Sequence, residues 1–310
     1  MRRKSGITLK LLSAVGIGLI MSSFGCDNSQ TAPTPVYWSL VQSPTDQHLH
    51  DIDAVSSTDV WIVGDYGNFV HFDGQDWAVK LTSFTNDVHC LDMVDANHGW
   101  AGGNGGIVYH YDGAEWSRVG QTQTTDNLYG CHFTSDTQGW FVGDNGAILQ
   151  YDDGNWILHQ NQLKQPLTGV YVPPTGDGWA CGHGGVILRY RGGEWKPVNS
   201  PTPSDLYALS FFAPGEGWIS GNGGTLVRLS GSSIASKSIE TNQLLSAIWF
   251  FDATNGWAGT DKGSLFQYSG GVWTNGGYKH RAGINGLAFV DRNRGFACGR
   301  GGTILKYEYK

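Results

Sequence analysis

The chain has 310 residues, 15% of them charged, with 46 glycines, 13 tryptophans and a formal net charge of −7. An acidic chain of this kind is a poor partner for nucleic acid, whose phosphates need clusters of Lys and Arg. The length fits one large domain or two ordinary ones, and a glycine share about twice the usual favours many short strands joined by tight turns.

The first 26 residues stand apart. MRRKSGITLK carries four positive charges and no acid, and LLSAVGIGLIMSSFG is an apolar run too short for a comfortable bilayer span. A basic start, a short apolar core and small residues before a cleavage point make a secretory signal, with a plain N-terminal membrane anchor as the alternative. The residues SSFGC resemble the bacterial lipoprotein lipobox, with Gly25 before the cysteine and Ser23 where that motif usually has leucine. The resemblance implies that residues 1–26 are a lipoprotein signal peptide, that Cys26 is the lipidated first residue of the mature chain, and that residues 27–36 are a flexible tether. It places the protein in the bacterial cell envelope, exported and held to the membrane by lipid, periplasmic or on the outer surface. Asp27 resembles the inner-membrane retention signal of enteric bacteria. Removing residues 1–26 takes four of the 20 basic residues and none of the 27 acidic ones, so the mature chain stands at −11.

Seven copies of one pattern follow. The second is HGWAGGNGGIVYHYDGAEW (98–116) and the fourth is DGWACGHGGVILRYRGGEW (177–195). The first aromatic of each copy is Trp61, Trp100, Trp140, Trp179, Trp218, Trp257 or Phe296, at spacings of 39 or 40 residues. Each copy reads as four strands: an apolar run such as LHDIDAV (49–55), a strand carrying the first aromatic such as GWFVG (139–143), a third such as AILQYD (147–152), and a fourth opened by the second tryptophan. About 40 residues in four antiparallel strands is one propeller blade; a solenoid would want shorter repeats and terminal caps. The second tryptophan recurs 16 residues after the first, at Trp77, Trp116, Trp156, Trp195 and Trp273, with Ile234 in copy five. Copy seven would need residue 312, and YWSL with Trp38 stands unused at the front. The expectation is therefore an all-β, seven-bladed propeller over residues 37–310, with residues 37–41 supplying the outer strand of the last blade. Twelve of the 13 tryptophans lie on repeating positions and read as blade packing; Trp249 does not.

The glycine clusters lie between strands, which excludes a phosphate loop at a helix N-terminus. The pair four and five residues after the first aromatic, often Asn-Gly, reads as a type I′ hairpin turn with positive φ at both positions. In a four-stranded blade this turn and the loop leading into the inner strand emerge on one face. Two rings converge there: Asp65, Asn104, Asp144, His183, Asn222, Asp261 and Arg300 on the turns, and His50, His89, Tyr129, Thr168, Tyr207, Ser246 and Asn285 at the starts of the inner strands. An apolar residue precedes each member of the second ring, so a polar position recurs beside a buried one. A wet axial channel would account for that; the variety from His to Tyr to Asn is more than a channel lining needs and points to a binding face. His48, His50 and His89 could approach one another and suit a transition metal, although unliganded loop histidines are commoner, and no metal or cofactor is expected. The cysteines Cys90, Cys131, Cys181 and Cys298 show no metal-ligand spacing and read as small buried strand residues, with pairing open to an exported chain.

The motif GWAxGxxGxIxxYDGxxW, preceded by an L-x-x-h-x-F strand, resembles the repeats of photosystem II assembly-factor-like propellers. These belong to the wider BNR/Asp-box group of seven-bladed propellers that includes sialidases. Partial Asp-boxes survive at FDGQDW (72–77), YDGAEW (111–116) and YDDGNW (151–156), and later copies have lost the aspartate. The resemblance implies a monomeric binding or assembly scaffold for a protein partner or ligand in the envelope; a photosynthetic role in particular does not follow from it. The alternative is a glycan-acting hydrolase or lyase of sialidase-like type, which needs an arginine cluster with a tyrosine nucleophile and acids. Only Arg300 of the arginines falls in the turn ring, and no nucleophile-elbow motif is present.

Overall fold

The computed structural model describes residues 38–159 and 161–309. The signal, Cys26 and the tether of the sequence analysis lie outside the described residues. Seven four-stranded antiparallel sheets follow one another, each with its strands in chain order except the last. Blade 1 is built from an inner strand Leu49–Ser56, a second strand Asp59–Gly64, a third Phe69–Phe72 and an outer Trp77–Lys80. Blade 7 has Ile284–Asp291, Arg294–Gly299 and Ile304–Glu308, and its outer strand is Trp38–Val41. Trp38 pairs with Tyr307 and Val41 with Ile304, so the ring closes as the repeat count requires.

Second strands are buried along most of their length because both of their faces are covered by neighbouring blades. Val60, Trp61, Ile62 and Val63 are all buried. The recurring tryptophans meet across the blade junctions. The one on a second strand packs edge-on against the one on the next blade's outer strand: Trp61 with Trp116 at 5.7 Å, Trp100 with Trp156 at 6.0 Å and Trp140 with Trp195 at 5.5 Å between ring centroids. The two junctions of blade 7 follow the same rule, Trp257 with Trp38 at 5.5 Å and Phe296 with Trp77 at 5.7 Å. Such ring pairs add to the area each indole buries. Cys90, Cys131, Cys181 and Cys298 carry free thiols in the inner and second strands.

The hairpin joining second and third strands departs from the type I′ expectation. Positive φ falls one residue later, on Tyr66 and Gly67 in blade 1 and on Gly105 and Gly106 in blade 2, while Asp65 and Asn104 open a single 3₁₀ turn. The displacement has a cause. The amide of the first turn residue is drawn back to the loop before the inner strand: Asp65 N–H donates to the His48 carbonyl (2.9 Å) and Asn104 N–H to that of Asp87 (3.0 Å). Equivalent bonds occur at Asp144, His183, Asn222, Asp261 and Arg300, so all seven blades have one. The two-residue turn with positive φ at both positions is found instead between third and outer strands, at Asp153-Gly154, Gly192-Gly193 and Gly270-Gly271. In blades 1 and 2 the surviving Asp-box aspartate closes that turn, Asp73 accepting from the amides of Gln75 and Asp76 and Asp112 from those of Ala114 and Glu115.

Candidate functional site

Every inner strand contains a β-bulge near its start. Leu49 pairs with Gly64 and Asp51 with Val63, so His50 is left without a partner. The same shift skips His89, Tyr129, Thr168, Tyr207, Ser246 and Asn285. A bulge takes its extra residue out of the pleat and re-aims its side chain. The polar ring is therefore a ring of bulge residues, and the docked turns bring the second ring beside it.

Four blades join the two rings side chain to side chain. His50 Nε2 meets Asp65 Oδ1 at 2.6 Å, His89 Nε2 meets Asn104 Oδ1 at 2.7 Å, and the Tyr129 hydroxyl donates to Asp144 at 3.0 Å. Tyr207 joins by ring contact, its ring lying 5.3 Å from that of His183 on the preceding blade's turn. The other three turn away from the face. Thr168, Ser246 and Asn285 donate to the carbonyls of Leu206, Ile284 and Leu49 on the next blade, Thr168 at 2.9 Å and Asn285 at 2.7 Å. These three fasten blades together. Asp261 accepts from the Leu244 amide and lies 3.4 Å from Lys262, while the Arg300 carbonyl accepts from the Thr303 hydroxyl.

The usable surface is thus an arc over blades 1 to 3. The His50 and His89 rings are 5.0 Å apart, and His89 and Tyr129 5.3 Å. Asn104 donates its amide to Asp87 at 3.0 Å, so its oxygen must accept from His89 Nε2–H. That assigns the tautomer and leaves His89 Nδ1 as an acceptor. Burial holds His89 below the usual imidazole range, so it stands neutral at pH 7. The same burial raises the Tyr129 and Tyr207 hydroxyls. His50, held against Asp65, is an imidazole oriented by a carboxylate. The arc can bind polar and aromatic groups and can offer a proton acceptor. On the far side, a cavity of about 830 Å³ between blades 5 and 7 is lined by Lys262, Lys279, His280 and Arg281. The face is therefore imidazole-rich and acidic on one half and basic on the other.

The metal possibility at His48, His50 and His89 gains nothing: His48 Nδ1 accepts from the Gly301 amide at 2.9 Å, which joins blade 7 to blade 1. Among the described residues no group of three or more His, Cys, Asp or Glu side chains could hold a metal ion. Nor do arginines gather at the axis among the described residues. Arg189 is held by Asp177 and Arg228 by Glu216 on third strands, each stacked over a tryptophan.

Two sets of residues were not singled out from the sequence. Asp87, Asn127 and Asp205 sit just before the inner strands and accept from the turn-tip amides of the preceding blade, as Asp87 does from Tyr66 at 2.9 Å; His48, considered above as a metal ligand, does the same for Gly301. Their signal was a polar side chain recurring before the apolar one. Deeper in the channel lie Asp51, Asp53, Asp92 and His132. Their signal was the alternation in LHDIDAV, which the bulge shifts by one residue.

Neither a protein-family profile nor a curated protein sequence matches the chain. Solved structures do match in fold. YCF48 bound to D1 peptide is 20% identical with a TM-score of 0.74, covering 88% of this chain and 95% of that one. YCF48 from Cyanidioschyzon merolae is also 20% identical, with a TM-score of 0.72 over 88% and 98%. A streptogramin B lyase is 14% identical, with a TM-score of 0.78 over 88% and 98%. Identities this low establish the seven-bladed fold; the same scaffold carries a peptide-bound protein and an enzyme, and fold alone does not choose between them.

Proposed function

We propose that this chain is a binding and assembly scaffold that holds a protein partner on the turn-ring face, and that a lipid on Cys26 keeps it at the cell envelope. The observation that carries the reading is the arc His50–His89–Tyr129, where bulge residues of three blades stand in mutual contact on one face. Three further points support it. Tyr66, at the tip of the blade 1 turn, is 66% exposed, an aromatic of the type enriched at interfaces. The two halves of the face carry opposite charge, which orients a partner. A structurally similar propeller is known with a peptide bound. A hydrolase or lyase would have to work from the His50–Asp65 pair without an arginine anchor at the axis, so the binding reading is preferred. Photo-crosslinkers at Tyr66 and Gly105 should capture one envelope protein in intact cells, and crosslinkers at Gly113 on the opposite face should not. Capture of the same protein from both faces would defeat the site assignment. Cys26→Ala should release the protein from the membrane fraction; retention would defeat the anchor.

A further inference from the structure

Beneath the turn-ring face the channel holds a cavity of about 340 Å³. The fifth residue of each inner strand reaches it in six blades: Asp53, Asp92, His132, Tyr171, Ser210 and Trp249, in blade order from one to six. The ring order places the carboxylates of blades 1 and 2 across the axis from the aromatics of blades 4 and 6. Asp51 adds a third carboxylate to the acidic wall.

A structural role accounts for one oxygen of Asp92 and for both oxygens of Asp51 and Asp53. Within their own strand, Asp51 accepts from the Ile52 amide at 2.9 Å and Asp53 from that of Ala54 at 2.7 Å. Asp53 accepts from the Met93 amide at 2.8 Å, Asp92 from Phe133 at 2.5 Å and Asp51 from Leu91 at 2.9 Å, all on the next blade. The neutral Ser210 does the same for Phe250 at 2.9 Å. Joining blades therefore needs an acceptor and not a charge. Three carboxylates line one space in the channel, and no Lys or Arg lines it. Burial pushes Asp51 up to about 7 and raises Asp53 and Asp92, and the carboxylates raise one another. A negative cluster of this kind is costly until a cation meets it.

Two observations outside the acids point to a ligand. His132 lines the cavity, and its Nδ1 accepts from the Val172 amide at 3.4 Å. Its proton is therefore on Nε2, which makes no hydrogen bond among the described residues and borders the cavity. Trp249, the tryptophan outside the blade-packing pattern, is only partly buried and also lines the cavity. An indole face is the preferred surface for an organic cation. A metal ion is not the fit, since no set of ligands converges among the described residues.

We propose that the axial cavity binds a small organic amine, its ammonium between Asp53 and Asp92 and its apolar body against Trp249 and Tyr171. His132 Nε2–H can donate to a hydroxyl or carbonyl oxygen of the same molecule. The titratable groups around the cavity are Asp51, Asp53, Asp92, His132, Cys131 and Tyr171, and burial keeps the Cys131 thiol and the Tyr171 hydroxyl protonated.

The test uses phenethylamine and its neutral counterpart phenethyl alcohol, with calorimetry in two buffers of different ionisation enthalpy and with tryptophan fluorescence. The amine should bind, perturb the emission and release protons at pH 7, because the ammonium displaces those held by the acids; the alcohol should do none of this. Asp53→Asn and Asp92→Asn keep the acceptor for the next blade and should weaken amine binding by about tenfold or more. Trp249→Phe should remove the fluorescence response while heat is still released, and Lys196→Ala on the exposed outer strand Glu194–Pro197 of blade 4 should leave amine binding unchanged. Equal response to amine and alcohol, unchanged affinity in both asparagine variants, or no amine binding at millimolar concentration would each overturn the proposal.

Discussion

At the scale of single residues, the buried carboxylates set how stability responds to pH. Asp51 accepts from the amides of Ile52 and Leu91, yet burial outweighs both and pushes its carboxyl up to about 7. Between roughly pH 4 and 7 the folded chain keeps a proton that the unfolded chain has lost, so this group's contribution falls as pH rises through that window. His132 works the other way. Burial pushes it down to about 4, so its contribution is present above the unfolded imidazole value and lost as pH falls below it. As pH rises through about 6.5 the unfolded imidazole loses its proton and the opposing contribution of His132 levels off. The melting temperature should therefore fall as pH rises through about 7, the upper end of the Asp51 window. Asp51→Asn should flatten that fall and raise the midpoint at the alkaline end by a few degrees; an unaltered slope would show that Asp51 is not the group titrating. None of this could be read from LHDIDAV alone. Counting by twos from Leu49 gives the wrong parity, because the skipped residue, His50, is visible only in the pairing register.

At the scale of the element, the repeated hairpin was legible as a hairpin but not in its geometry. Asn-Gly carries a strong local preference, and a tertiary bond overrode it: the docking of the turn onto the preceding loop moved positive φ one residue along. The same docking explains the glycine that ends the second strand. Gly103 is extended, so backbone freedom is not the reason for it; a Cβ there would overlap the Asp87 carbonyl oxygen. Gly64, Gly143, Gly182, Gly221 and Gly299 face an equivalent carbonyl. Blade 6 differs by carrying Thr260, whose hydroxyl meets the Gln243 side chain at 2.7 Å and the Ser264 amide at 2.9 Å. Gly103→Ala should thus cost about 1–3 kcal/mol through overpacking. Chemical denaturation would measure it, and Gly105→Ala, where an added Cβ meets nothing, should act through its positive φ alone. An undiminished stability in Gly103→Ala would mean that the turn can lift off the inner-strand loop without loss. The turn ring would then be less fixed as a binding face than its hydrogen bonds indicate.

At the scale of the molecule, the number of blades, the strand count and the origin of the last outer strand all followed from one periodicity. A repeat that cannot bury its faces alone demands a neighbour on each side. Function followed far less, because it depends on the few positions where copies differ, and three of the seven inner-ring residues proved to be fasteners. Closure is where the whole ring can be tested. It has two independent fastenings. On the outside, Trp38 is 1% exposed and lies against Trp257, Phe289 and Tyr307. On the inside, Asn285 donates to the Leu49 carbonyl at 2.7 Å, and the amides of Gly301 and Gly302 reach His48 Nδ1 and the Gln47 carbonyl. Trp38→Ala should cost about 3–5 kcal/mol, as large buried aromatics do. Trp38→Phe should cost less, because a phenyl ring can keep the edge-on contact with Trp257. Asn285→Ala should cost about 1 kcal/mol, the value of one buried hydrogen bond. Deleting residues 37–41 removes the outer fastening entirely and leaves the edge of Ile304–Glu308 unpaired. The melting temperature should then drop by many degrees, and the deletion variant should gain a tendency to associate through that edge. If deletion leaves the melting curve unchanged while Asn285→Ala lowers it, the inner latch alone closes the ring, and the front strand serves to cover an edge rather than to hold the blades together.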